Sequence, residues 1–81
     1  MLIIIEFLTK PNCHLCEVAR AEIEKLKKEF DFEVIDVDVS KDEELNNKYG
    51  EKVPVTIVNG GFFSIFEVNS DELRVKLKSI N

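Results

Sequence analysis

Apolar and polar positions change their spacing several times along the chain, and each change predicts a new element. From Leu2 to Leu8 apolar residues fill both alternating faces apart from Glu6, the pattern of a central strand covered on both sides. After a turn at Thr9-Lys10-Pro11-Asn12, the residues Cys16, Ala19, Ile23, Leu26 and Phe30 recur at steps of three or four, which predicts an amphipathic helix. Glu17, Glu22, Glu24, Lys25 and Lys28 take its wetter positions. Phe32 to Val39 is a β-branched run with interspersed acids, a second and less buried strand that completes a βαβ unit.

Ser40 with Glu43 three residues on reads as a capping box, and Gly50 stands where a helix ends, so Lys41 to Tyr49 is expected to be a short helix with Leu45 and Tyr49 on one face. Val53 to Val58 and Phe62 to Val68 flank Asn59-Gly60-Gly61, the signature of an antiparallel hairpin. Asn69 with Glu72 opens a last helix carrying Leu73, Val75, Leu77 and Ile80. The predicted order is β-α-β-α-β-β-α, an α/β fold with a four-stranded mixed sheet flanked by helices.

Composition narrows the function. At 81 residues there is room for one domain, spanning residues 1–81, and one site. Sixteen acidic against eleven basic residues give a net charge of −5, which argues against an electrostatic grip on nucleic acid or anionic lipid. Met1 to Ile5 is apolar, yet Glu6 interrupts it and no basic region precedes it, so neither a signal peptide nor a membrane span is expected. The expected compartment is the cytoplasm, where a close cysteine pair serves catalysis or metal binding more often than permanent cross-linking.

Cys13 and Cys16, separated by His14 and Leu15, lie where the first strand gives way to the first helix. Side chains at i and i+3 share one helical turn, so the two sulfurs can reach bonding distance. A sulfur at a helix start sits among unpaired N–H groups at the positive end of the dipole, which favours thiolate over thiol. Such settings lower a cysteine pKa from about 8.5 into the range of roughly 3.5 to 7.5. Cys16 begins the apolar stripe and should be the more buried of the two. Cys13 is therefore the expected nucleophile in thiol-disulfide exchange and Cys16 the resolving thiol.

Thr9-Lys10-Pro11-Asn12-Cys13-His14-Leu15-Cys16, the dipeptide Val53-Pro54 and the hairpin glycine Gly60 together resemble the glutaredoxin branch of the thioredoxin fold, and especially the short glutaredoxin-like proteins. That resemblance implies a disulfide oxidoreductase with no bound cofactor, acting as a monomer on protein or glutathione disulfides. Its electron donor would be glutathione or a reductase. The resemblance also implies that Pro54 is cis and faces the cysteine pair, and that the Val53 backbone pairs with the substrate like an added strand. Lys10 matches the basic residue that helps hold glutathione's carboxylate, and Ser70-Asp71 the place that holds its glutamyl end. Lys10 reads equally as a solvated loop lysine, and Ser70-Asp71 as plain helix capping. Glu67-Val68 stands where the family usually carries two glycines.

His14, where glutaredoxins commonly have proline, would as an imidazolium favour the Cys13 thiolate. Glu6 is a candidate proton acceptor for Cys16, or simply the place where a strand face meets water. The rival function is a copper or zinc module, since heavy-metal-associated domains also begin strand, C-x-x-C loop, helix. Those domains continue with two strands, and Cys13, Cys16 and His14 fall short of a closed tetrahedral site. No metal is expected. An inactive interaction module with the same fold is a third reading, and phosphate loops and hydrolytic triads are absent from the sequence.

Overall fold

A computed structural model describes residues 2–80. Among them the order is β1 (Ile3–Thr9), α1 (His14–Lys25), β2 (Phe32–Asp38), α2 (Glu43–Tyr49), β3 (Val55–Val58), β4 (Gly61–Ile65) and α3 (Ser70–Ile80). This is the expected succession, and α2 between β2 and β3 departs from the order of the metal modules. The strands form one mixed sheet in the order β2-β1-β3-β4. β1 runs parallel to β2 with Phe7 opposite Asp36, and antiparallel to β3 with Leu8 opposite Val55.

The apolar run of β1 is explained by its central place. Ile3, Ile5 and Phe7 alternate onto one buried face, where Phe7 lines a cleft with Cys16 of α1, and Leu8 is buried on the other. Cys16, Ala19 and Ile23 form the buried stripe of α1, which continues as a short 3-10 helix that buries Leu26. α1 and α3 touch, and Leu73 and Leu77 of α3 are fully buried. None of the helices among the described residues is long and apolar enough to cross a membrane.

Several local expectations are corrected. Ser40 does not cap α2. Asp38 accepts both the Ser40 N–H at 2.9 Å and its hydroxyl at 2.6 Å, folding residues 39–41 into a 3-10 turn. Asp42 then caps α2, accepting the Leu45 N–H at 3.0 Å; a carboxylate is the stronger acceptor, and two of them bracket the serine. Ser40's donors also hold the Asp38 carboxyl below its usual pKa.

Gly50 closes α2 in ordinary right-handed geometry rather than the left-handed form. Its lack of a Cβ matters because one would collide with Asn46. β3 begins at Val55 rather than Val53, as Pro54 has no N–H to give a ladder. β4 ends at Ile65, short of Val68, because Phe66 turns the chain with a φ of 65°. Val75 is exposed; it lies two residues from both Leu73 and Leu77, roughly 200° around the helix from each.

Candidate active site

The end of β1 delivers the chain into a tight turn in which Asn12 adopts a φ of 58°, a left-handed conformation that asparagine tolerates better than most residues. Cys13 follows in extended geometry as the N-cap of α1, and its sulfur accepts the backbone N–H of Cys16 at 3.2 Å. The sulfur thus fills the position that a serine or aspartate oxygen fills at other helix starts. Cys13 and Cys16 are joined as a disulfide, with Cα atoms 5.2 Å apart. Cys13 is half-buried, whereas Cys16 is only 4% exposed.

A shallow cleft beside the pair is walled by Phe7, Thr9, Cys13, Cys16, Arg20 and Asp36. Arg20, one helical turn beyond Cys16, donates to Asp36 at 2.9 and 3.3 Å and also to Glu24. Burial works against the Arg20 charge, but the hydrogen bonds to Asp36 and Glu24 outweigh it and raise its pKa. The spacing from Cys16 on α1 and the alternation along β2 carried the signal for this pair, which the sequence reading missed.

On the other side of Cys13 the antiparallel register, carried one residue past Leu8 and Val55, sets Pro54 beside Thr9. The Val53–Pro54 bond is cis, and Val53 and Pro54 are buried. The Pro54 carbonyl accepts the Phe66 N–H at 2.7 Å, which ties this loop to the segment between β4 and α3. That segment and the first turns of α1 enclose an open groove of about 350 Å³, which begins at Leu15 between the cysteines.

The remaining candidates take varied places. The His14 side chain is exposed, with its ring 3.9 Å from Glu17. Lys10 donates to the Gly50 carbonyl at 2.8 Å. Ser70 and Asp71 line the groove, but the helix end they open is closed by Asn69, whose side-chain oxygen accepts the N–H groups of Asp71 at 2.9 Å and Glu72 at 3.1 Å. Glu6 sits opposite Ile35 and Ile57, on the sheet face away from Phe7 and Cys16, so the alternation of β1 removes it from the cysteines.

A fold of this kind, with a C-x-x-C pair at the start of its first helix, has the arrangement of redox proteins. A protein of Mycobacterium tuberculosis (strain ATCC 25618 / H37Rv) of uncharacterized function is 31% identical over 78 residues, covering 90% of this chain and 80% of that protein. Among solved structures, a structural-genomics target from X. campestris superposes with a TM-score of 0.75 at 24% identity, covering 93% of this chain and 96% of that one. A mutant thioredoxin from Halobacterium salinarum NRC-1 superposes with a TM-score of 0.68 at 21% identity, over 95% of this chain and 73% of that one. Both likenesses show the thioredoxin fold. Residues 4–78 match the family described as Glutaredoxin-like domain (DUF836), and the chain belongs to that family.

Proposed function

We propose that the protein is a thiol-disulfide oxidoreductase in which Cys13 is the nucleophile and Cys16 the resolving thiol. The observation that carries this reading is the inequality of the two sulfurs. One caps a helix and is half-exposed, while the other is buried behind it. In the reduced protein the Cys16 N–H and the helix dipole favour a thiolate on Cys13, and burial keeps Cys16 protonated.

The Cys13 thiolate attacks one sulfur of the substrate disulfide and expels the other as a thiolate, giving a mixed disulfide. Cys16 then loses its proton and attacks the Cys13 sulfur. The Cys13–Cys16 disulfide forms, the second substrate thiol leaves, and two electrons have passed to the substrate. An external thiol, either glutathione or the dithiol of a reductase, returns the pair to its reduced form.

Pro54 and Val53 supply the docking edge. Among the described residues the Val53 peptide groups make no hydrogen bond within the chain, which suits pairing with an extended substrate segment. His14 tunes the Cys13 thiolate from the first helical position. Its replacement by Ala is expected to raise the Cys13 pKa, and an unchanged value removes this role.

The cytoplasm, where thiols are kept reduced, suits such a cycle. The test is single-turnover reduction of a small neutral disulfide such as 2-hydroxyethyl disulfide. The reduced wild-type protein is expected to react and Cys13→Ser to fall to the uncatalysed background. A Cys13→Ser protein that reacts at the wild-type rate overturns the assignment.

A further inference from the structure

The groove that begins at Leu15 is lined by both apolar and acidic side chains. Leu15, Val18 and Phe66 line it while remaining 51%, 49% and 42% exposed, and Val68 forms part of its floor. Exposed apolar side chains gathered along one groove mark a contact surface more often than singly scattered ones do. Phe66 is held there with a φ of 65°, a conformation that costs a bulky residue energy and persists only where its surroundings fix it. The hydrogen bonds from Phe66 to the Pro54 carbonyl and from Glu67 to the Ile65 carbonyl at 2.9 Å do so.

Three carboxylates, Glu22, Glu67 and Asp71, also line the groove, and no lysine or arginine does. Lys25 partners Glu22 at 2.8 Å and Arg74 partners Asp71 at 2.6 Å, both from outside the lining. Glu67 is left without a cation among the described residues.

Glutathione, with two carboxylates and one ammonium, would need cations or unpaired N–H groups here. Several of the groups that could serve it are engaged. Asn69 takes the N–H groups of Asp71 and Glu72, Lys10 donates to the Gly50 carbonyl, and Arg20 is committed to Asp36 and Glu24.

We infer that the groove takes a polypeptide whose disulfide cysteine is flanked by an apolar residue and by a lysine or arginine, in preference to glutathione. The inference rests on the oxidoreductase reading and names its substrate class. The groove opens at Leu15, between the two cysteines, so a strand docked along Val53 and bonded through Cys13 carries its neighbouring side chains into it. With a rise of about 3.3 Å per residue and side chains that alternate, the two residues flanking the cysteine share one face about 6.6 Å apart, so that the apolar one fills the Leu15–Phe66 gap and the cation reaches Glu67.

Single-turnover reduction is measured with the reduced protein, free of its reductant, and four disulfides. These are 2-hydroxyethyl disulfide as neutral reference, glutathione disulfide, and two peptide disulfides that share a leucine on one side of the cysteine and differ by Lys or Glu on the other. Relative to the neutral reference, the Lys peptide is expected to react roughly tenfold faster than the Glu peptide and glutathione disulfide at low ionic strength, with the gap closing in high salt.

Glu67→Gln narrows the gap between the peptides and Glu67→Lys reverses their order. Glutathione disulfide matching the Lys peptide, or a preference that survives Glu67→Lys, overturns the inference while leaving the oxidoreductase reading standing. A protein that reduces none of the four, neutral reference included, overturns both.

Discussion

Helices α1 and α3 both open onto the groove, and their first turns are finished differently. At α1 the capping atom is the Cys13 sulfur, which accepts one N–H from Cys16. At α3 the capping atom is the Asn69 amide oxygen, which accepts two N–H groups. Both helix ends carry the same partial positive charge. At α1 that charge meets an atom that can become an anion and react. At α3 it is sealed by an uncharged side chain that can do neither. A helix start serves chemistry according to what caps it, and on the proposed mechanism one end supplies a nucleophile while the other withholds an anion site.

The largest expected effect breaks the α1 half of this contrast. Cys16→Ser leaves the Cys13 cap sulfur in place but removes the proposed resolving thiol, so a mixed disulfide with substrate should accumulate and be visible by mass spectrometry. If Cys16→Ser turns over without an adduct while Cys13→Ser forms one, the two sulfurs have the opposite roles. Next comes the α3 half. Asn69→Ala should cost about 1 kcal/mol of stability in denaturant titration, and by freeing the N–H groups of Asp71 and Glu72 it should raise the rate with glutathione disulfide. Unaltered selectivity would mean that the Asn69 cap is structural only.

Asp42→Ala is the control at a helix start away from the groove. Losing its bond to Leu45 should cost about 0.5–1 kcal/mol and leave the order of preferred disulfides as it was. A change in that order would show that cap loss alone, wherever it falls, disturbs the site.

The smallest effect concerns how α3 is anchored. Arg74 donates to Glu29 through two bonds of 2.9 Å, and this holds the Glu29 carboxyl below its ordinary value of 4.5. A lowered folded-state pKa contributes stability that is present above that value and disappears as pH falls through the lowered one. Wild type should therefore exceed Arg74→Met in stability near neutrality, and the difference should shrink as the pH falls through and below the ordinary carboxylate value of 4.5. A difference that stays constant across that range would assign Arg74's contribution to packing.

The legible part of the molecule was the part with local signals. The i to i+3 spacing of Cys13 and Cys16 and the stripe through Ala19 and Ile23 gave the redox pair its helix and its asymmetry. The element order followed from changes of period. What escaped depended on competition or on distance along the chain. Ser40 looked like a cap because its two aspartate neighbours, either of which accepts more strongly, could not be ranked before the chain was folded. Glu6 looked close to Cys16 in sequence but lies on the opposite sheet face, a matter of strand alternation.

The groove is built from Leu15 and Phe66, about fifty residues apart, and the turn at Phe66 has no glycine to announce it. Lys10 and Ser70-Asp71, assigned to glutathione by resemblance, meet competing hydrogen bonds that only the folded chain reveals.

On the proposed mechanism the α1 start makes one sulfur of the pair a thiolate near neutral pH. The most direct measurement is the pH dependence of alkylation of the fully reduced protein, with each cysteine followed by peptide mass spectrometry. Cys13 is expected to react first, with an apparent pKa well below about 8.5, and Cys16 to stay protected through neutral pH. Two thiols titrating together near about 8.5, or Cys16 reacting ahead of Cys13, would contradict it.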